Sequence, residues 1–437
     1  MIKSRGAIVA LLTGLNFLNY LDRFVVAAVL PPLMRELGLT NFQGGLLATV
    51  FLLGYFVTAP MFGKLGDRLS RKKLITFGVL TWSVATVASG VASSLWALLI
   101  ARACVGIGEA SYATLAPTII DDVSPPDKKG KMLAVFFLAV PVGSACGYLL
   151  GGYIQQHYGW RTAFFVAGGP GVVLALLCLA IQEPVRNHLA DAKAKIIETA
   201  GTLFRVPLYR RAVLGYCAHT AAIGAFAFWA PKFLSEHFLA DLANDPKAPD
   251  AAAQALAAAN FRFGLVTVIA GALGTIVGGW MADRAVRGMP MIPEGAAHDH
   301  LHNRMAANAQ LRVCAIGVAI AAPMTAAAFL VPSASLFFVF AGVAEIGLFL
   351  STSPINIIML RTVPAFMRAS AMAVAIFSIH LFGDLWSPSL LGLMMDYLPI
   401  VAAMMALPAL FALAGALWWP RKHESEAGNL PSARIHD

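Results

Sequence analysis

Gly63-Lys-Leu-Gly-Asp67-Arg68-Leu-Ser-Arg71-Lys72 and, about half a chain later, Gly279-Trp-Met-Ala-Asp283-Arg284-Ala-Val-Arg287 share one spacing of glycine, aspartate and arginine. Each stretch lies at the end of one apolar run and shortly before another. The spacing therefore predicts the same charged turn between two membrane-length helices, made twice. Working outward, apolar stretches of about 20 residues, enough to cross the hydrocarbon core at about 1.5 Å per residue, recur from Gly6 to Trp419. Twelve spans are expected, over residues 7–30, 43–62, 74–93, 96–120, 131–155, 162–181, 212–231, 263–282, 313–331, 335–360, 369–395 and 399–419. Because the turn after the second span recurs after the eighth, the expected fold is an all-α membrane protein: twelve transmembrane helices in two pseudo-symmetric six-helix bundles. The bundles are assigned to residues 1–181 and 212–419, with a linker over 182–211 and a tail over 420–437. A surface amphipathic helix is expected over 189–204 of the linker.

Composition points the same way. Of 437 residues, 59% are hydrophobic and 13% charged, against roughly 25% charged in soluble domains. The apolar run behind Lys3 and Arg5 resembles a secretory leader, but it carries Asp22 and Arg23 and no small-residue cleavage site follows, so it is taken as span 1. Cys104, Cys146, Cys178, Cys217 and Cys314 fall in or at the ends of apolar spans without metal-ligand spacing and are expected to pack. The net charge of +9 is spread over alternate loops, on the side of the termini. That distribution argues for topology over nucleic-acid binding and places both termini in the cytoplasm. The basic, alanine-rich composition suits a bacterial inner membrane, and a monomer in the lipid bilayer is expected.

Ionisable groups inside a span are costly and are functional candidates by default. They concentrate in span 1, with Asn16, Asn19, Asp22 and Arg23, and in span 4, with Arg102 and Glu109 two turns apart on one face. At similar depth, Asp22, Arg23, Arg102 and Glu109 make a neutral quartet. A carboxylate holds a proton more readily away from water and less readily beside a guanidinium, so an arginine that moves away invites a proton. Glu109 is the first candidate for the coupling acid and Asp22 the second, with Arg23 and Arg102 as charge partners able to meet an anionic head group. A static ion-pair network fixing helix packing would use the same four residues. Tyr112 of span 4, Glu345 of span 10, and His380 and Asp384 of span 11 are further candidates for a substrate cavity, with Asn16 and Asn19; His219 of span 7 ranks lower. His298-Asp-His300-Leu-His302 lacks a completing acid or cysteine cluster and is expected to be a solvated loop, so no metal is assigned.

The pattern G-x-x-x-D-R-x-x-R-K resembles the signature of the major facilitator superfamily, and its double occurrence strengthens the match. Gly63 is expected to let two helices approach closely. The resemblance places Asp67 against the positive N-terminal end of span 11. Arg68 needs an acid, and Asp121 and Asp122 at the end of span 4 are offered, so Gly63, Asp67, Arg68, Arg71, Asp121 and Asp122 form an expected cytoplasmic gate. Asp283 and Arg284 make a weaker second copy, because span 10 ends in Leu360-Arg361-Thr362 without an acid.

Within that superfamily, Arg102-Ala-Cys-Val-Gly106-Ile-Gly108-Glu109-Ala-Ser111-Tyr112-Ala-Thr114-Leu-Ala-Pro117-Thr118-Ile-Ile-Asp121 is similar to the span 4 signature of the spinster branch, and Asn16-Phe-Leu-Asn19-Tyr20-Leu-Asp22-Arg23 is similar to that branch's opening. Tyr158-Gly159-Trp160-Arg161 and the glycines 143, 147 and 151 fit the superfamily generally. The resemblance implies a proton-coupled, alternating-access carrier of lysophospholipid-like or sphingoid phosphate cargo. It implies a charged N-terminal cavity wall holding Asp22, Arg23, Arg102 and Glu109, and an apolar C-terminal one. Protons would be the coupling ion and no cofactor is expected. A proton-coupled drug exporter or organic-anion symporter of the same superfamily is the alternative, since gate and quartet serve any cargo. A sensor that kept the fold would have lost its membrane carboxylates, which are present. An enzyme is not expected: the sequence has no P-loop, metal-ligand cluster or serine nucleophile motif.

Overall fold

A computed structural model of the protein describes residues 4–125, 129–183, 196–239, 249–287, 299–363 and 367–420, together with Ile2 and Met289. Among the described residues the regular elements are helices, with one isolated β-bridge between Ile2 and Ile181. Twelve helices are long and apolar enough to cross a membrane: spans 1 (Arg5–Leu37), 2 (Asn41–Arg68), 3 (Arg71–Val91), 4 (Leu95–Val123), 5 (Val135–Tyr158), 6 (Trp160–Leu179), 7 (Pro207–His237), 8 (Ala251–Val286), 9 (Arg304–Leu330), 10 (Ala334–Arg361), 11 (Ser370–Tyr397) and 12 (Ile400–Trp418). This is the expected order and number. Helices suit the sequence because each closes its backbone hydrogen bonds within itself, which lipid cannot do for it. The expected linker helix is described from Ile196 to Phe204. Its first part, His298, most of the loop after span 7 and the tail beyond 420 lie outside the described residues.

Several boundaries differ from expectation. Span 1 runs through Pro31 and Pro32 to Leu37 and ends at Gly38, whose left-handed backbone (φ 62°) lets its N–H reach the Met34 carbonyl. A proline removes the N–H that would serve the carbonyl four residues back. Pro32 thereby frees Ala28, and Asn260 Nδ2 donates to the Ala28 carbonyl at 3.1 Å. Pro231 in span 7 frees Ala227 in the same way, and the Tyr148 hydroxyl donates to that carbonyl at 2.5 Å. Tertiary donors thus keep two proline-bearing helices intact. Span 10 breaks between Phe349 and Thr352, and span 11 contains a π-helical turn at His380–Asp384.

Compact packing groups the chain into two units. The first holds residues 1–190, 225–268 and 388–403: spans 1 to 6 plus the ends of spans 7, 8, 11 and 12 farthest from the termini. Its core is built on Leu12, Leu15, Val79, Trp82, Val105, Tyr112, Ile119 and Phe136. Close helix crossings depend on glycine: a Cβ at Gly106 would lie 2.0 Å from the Phe51 carbonyl oxygen. On span 5, Gly143 and Gly147 likewise lie against the backbone of span 1. The second unit holds residues 191–224, 269–387 and 404–437. There Arg211 Nε donates to the Leu417 carbonyl at 2.9 Å, and Trp418 Nε1 donates to Ala212 at 3.1 Å, tying span 12 to the start of span 7. All five cysteines are free thiols in or against packed helices.

Candidate functional site: a buried ion-pair cluster

Spans 1 and 4 bring the expected quartet together. Arg23 Nε donates to Glu109 Oε2 at 2.7 Å, and Arg102 Nη1 lies 4.0 Å from Asp22 Oδ1. Asp22 Oδ2 accepts a 2.6 Å hydrogen bond from Thr86 of span 3. Glu109, Asp22 and Arg102 are buried, whereas the Arg23 side chain keeps 21% of its surface. Arg23 is therefore the member through which the cluster meets open space. Its guanidinium lies 5.1 Å from the Tyr20 ring centroid, 5.0 Å from Phe51 and 5.3 Å from Tyr55. Arg102 lies 4.9 Å from the Phe51 ring centroid, so one aromatic ring serves both cations.

The cluster is not saturated. Asn19 Nδ2, Asp22 Oδ1, Arg102 Nε and Nη1, and Glu109 Oε1 are buried without a hydrogen-bond partner among the described residues. Buried polar groups are ordinarily paired. These five atoms hold capacity for a second set of partners. Thr86, Phe51 and Tyr55 are members that sequence inspection missed; a neutral hydroxyl and aromatic rings in apolar runs carry no ionic signal.

The other expected cavity residues divide. Asn16 Nδ2 donates to the Phe136 carbonyl at 2.9 Å and ties span 1 to span 5. Tyr112, expected on a cavity wall, is instead packed inside the first unit: it is fully buried, gives its hydroxyl to the Leu12 carbonyl, and meets the Trp82 ring edge-on at 5.5 Å. Large aromatics in spans fill helix interfaces, and Tyr112 does so. In the second unit Glu345 is buried, His380 Nδ1 lies 3.0 Å from Asp384 Oδ1 within the π-helical turn, and His219 Nε2 lies 3.2 Å from Ser351 Oγ at the break in span 10.

At the turn after span 2, the acid of span 4 has a different partner from the one expected. Arg71 Nη2 pairs with Asp122 Oδ2 at 2.7 Å and Arg71 Nη1 donates to Thr118 Oγ1 at 3.1 Å, while Arg68 is exposed. Arg71 is the first residue of span 3 and points into the bundle; Arg68, one turn earlier, points out. Glu183 at the end of span 6 accepts the Arg71 backbone N–H at 2.6 Å and the Ser70 hydroxyl. The close approach expected of Gly63 occurs one turn-step later: a Cβ there would meet Thr114 at an ordinary 3.8 Å, but at Gly66 it would lie 2.3 Å from Leu115. Asp67 is exposed, and Asp121 lies beside Asp122 at the end of span 4. In the second copy Asp283 and Arg284 are exposed, with Arg284 5.5 Å from the Trp280 ring centroid.

The Major Facilitator Superfamily model matches residues 12–381. The human protein spinster homolog 1 is 34% identical over 412 residues, covering 90% of this chain and 73% of that protein. The chain belongs to the spinster branch of the major facilitator superfamily. Among other spinster relatives, an Arabidopsis thaliana protein named a probable sphingolipid transporter is 29% identical over 443 residues, covering 90% of this chain and 83% of its own. A crystal structure described as a bacterial homolog of the human lysosomal transporter Spinster, inward-facing and unoccupied, superposes with a TM-score of 0.79 at 22% identity, covering 97% of this chain and 98% of that one, and shares the fold. This spinster-family chain is accordingly an integral membrane transporter and not an enzyme.

Proposed function

We propose that this transporter moves an amphipathic, lipid-like molecule of the lysophospholipid or sphingoid phosphate type by alternating access, coupled to protons. The observation that carries the coupling is the Arg23–Glu109 pair: a fully buried acid held by the cluster's one accessible cation. When an anionic head group or a helix movement draws Arg23 away, Glu109 is left in a dry site and crosses as the neutral acid, since an unpaired carboxylate is costly there. Asp22, held by Thr86 and near Arg102, is the second proton site, and Arg23 and Arg102 receive the head group. The unsaturated atoms of the cluster support an exchange of partners over a static network. The cargo class draws on the sphingolipid name of the Arabidopsis relative. Protons serve as coupling ion with no other cofactor, the working unit is a monomer, and the basic loops put both termini on the cytoplasmic side of a bacterial inner membrane.

The test is transport in liposomes under an imposed pH gradient, comparing labelled lysophospholipid with hydrophilic anions and cationic dyes. Lysolipid movement driven by the gradient in wild type and lost in Glu109→Gln is expected. Lysolipid movement that ignores the gradient removes the coupling, and movement of dyes alone removes the cargo.

A further inference from the structure

Span 11 ends with an acid in its last turn, Asp396, where the helix's own negative end disfavours it. Its carboxylate is turned onto another helix. Asp396 Oδ1 accepts the Asn41 backbone N–H at 2.8 Å and Oδ2 accepts that of Phe42 at 2.9 Å, the first two residues of span 2. Those N–H groups have no intrahelical acceptor and lie at the positive end of the span 2 dipole. Thr40 and Gln43 close a capping box on the same helix start, but they serve other groups: Thr40 takes the Gln43 N–H and Gln43 takes the Thr40 N–H. Asp396 supplies what the local cap leaves undone. The two helices are in close apposition, since a Cβ at Gly392 would lie 2.3 Å from the Asn41 carbonyl oxygen and one at Gly45 would lie 2.5 Å from that of Pro388. Thr49 and Ser389 join hydroxyls one level deeper.

We infer that Asp396 is a latch that holds spans 2 and 11 together on the membrane face opposite the termini, and that it is released each time that face opens. Alternating access, on which this rests, requires spans 2 and 11 to part there. On parting, the carboxylate keeps only the unfavourable end of its own helix, and two amides at the span 2 start lose their acceptor. Two charge-assisted hydrogen bonds thus bias the carrier toward the closed face, and the bias is confined to one face. Asp396 is a positioning residue: it touches no cargo and sets how much of the protein waits in each state.

The experiment uses full-length protein with its native cysteines replaced and spin labels at Arg35 and Leu398, both exposed on that face. Asp396→Asn is expected to move the distance distribution toward the longer, open population by about tenfold, with the melting temperature changed little. Asn41→Pro removes one donor without harming the helix, because proline is favoured at a first helical position and Thr40 is already extended; it is expected to give a smaller shift in the same direction. The double variant should add less than the sum. Folded Asp396→Asn and Asn41→Pro proteins with the wild-type distribution would overturn the latch. The distances are read at one fixed pH without cargo or a pH gradient, so a latch that responds in a protein that ignores the pH gradient leaves this inference standing and removes the coupling instead.

Discussion

Arg23 and Glu109, 86 residues apart in sequence, meet at 2.7 Å with the acid wholly buried and the arginine partly open. That inequality gives the pair a direction: whatever enters from open space reaches the acid through the arginine. Glu109→Gln keeps the shape and hydrogen-bonding capacity but cannot carry a proton. The expected result is a folded protein with gradient-driven transport lost and the residual flux flat with pH, measured in liposomes between acid and neutral pH. An unchanged pH profile would assign the coupling elsewhere.

Thr86 tests whether the cluster depends on a neutral neighbour. Its hydroxyl holds Asp22 at 2.6 Å. Thr86→Val is nearly isosteric and leaves a buried carboxylate oxygen without its donor, a loss of about 1.5–3 kcal/mol for a hydrogen bond to a charged group. Transport should fall by roughly tenfold or more, while Thr86→Ser restores it. Equal rates in Val and Ser variants would reduce Thr86 to a packing residue.

Arg71 and Arg68 are both basic residues of the repeated turn, yet only Arg71 meets Asp122, at 2.7 Å. Removing one partner of a mostly buried pair costs several kcal/mol, whereas an exposed charge is worth about 0–1 kcal/mol. Arg71→Gln should therefore lower the melting temperature in detergent markedly and Arg68→Gln hardly at all. The reverse order would show that the arginines exchange roles in the membrane.

Tyr148 serves the Ala227 carbonyl that Pro231 frees. Tyr148→Phe should destabilise the protein by about 1–3 kcal/mol, the cost of a buried acceptor left unpaired. Adding Pro231→Ala supplies an N–H four residues on and should recover most of the loss, read as melting temperature. An unchanged melting temperature in Tyr148→Phe would mean that Tyr148 contributes through its ring contacts with Phe24 and Phe263 alone, and a loss that Pro231→Ala does not recover would mean that the hydroxyl does not act through the Ala227 carbonyl.

How much of this was legible in the chain follows from how local each cause is. Asp22, Arg23, Arg102 and Glu109 stand out because a charge in an apolar run is conspicuous wherever the run folds. Thr86 and Phe51, on which the same cluster depends, are ordinary residues of spans, and nothing local marks them. The continuation of span 1 through Pro31 and Pro32 was likewise hidden, since the donor that repairs Ala28 is Asn260, 232 residues away.

Sequence alone determined the twelve membrane helices, their order, the doubled turn and the two helices that carry the Asp22, Arg23, Arg102 and Glu109 cluster, because hydrocarbon thickness and the cost of burying a charge act on each segment by itself. Only the tertiary structure decided the partners: Arg71 for Asp122, Thr86 for Asp22, Asn260 and Tyr148 for two proline-freed carbonyls, and Asp396 for the start of span 2. Those choices depend on the rotation and crossing of helices far apart in the chain, set by how their surfaces pack, and no spacing within one segment encodes them.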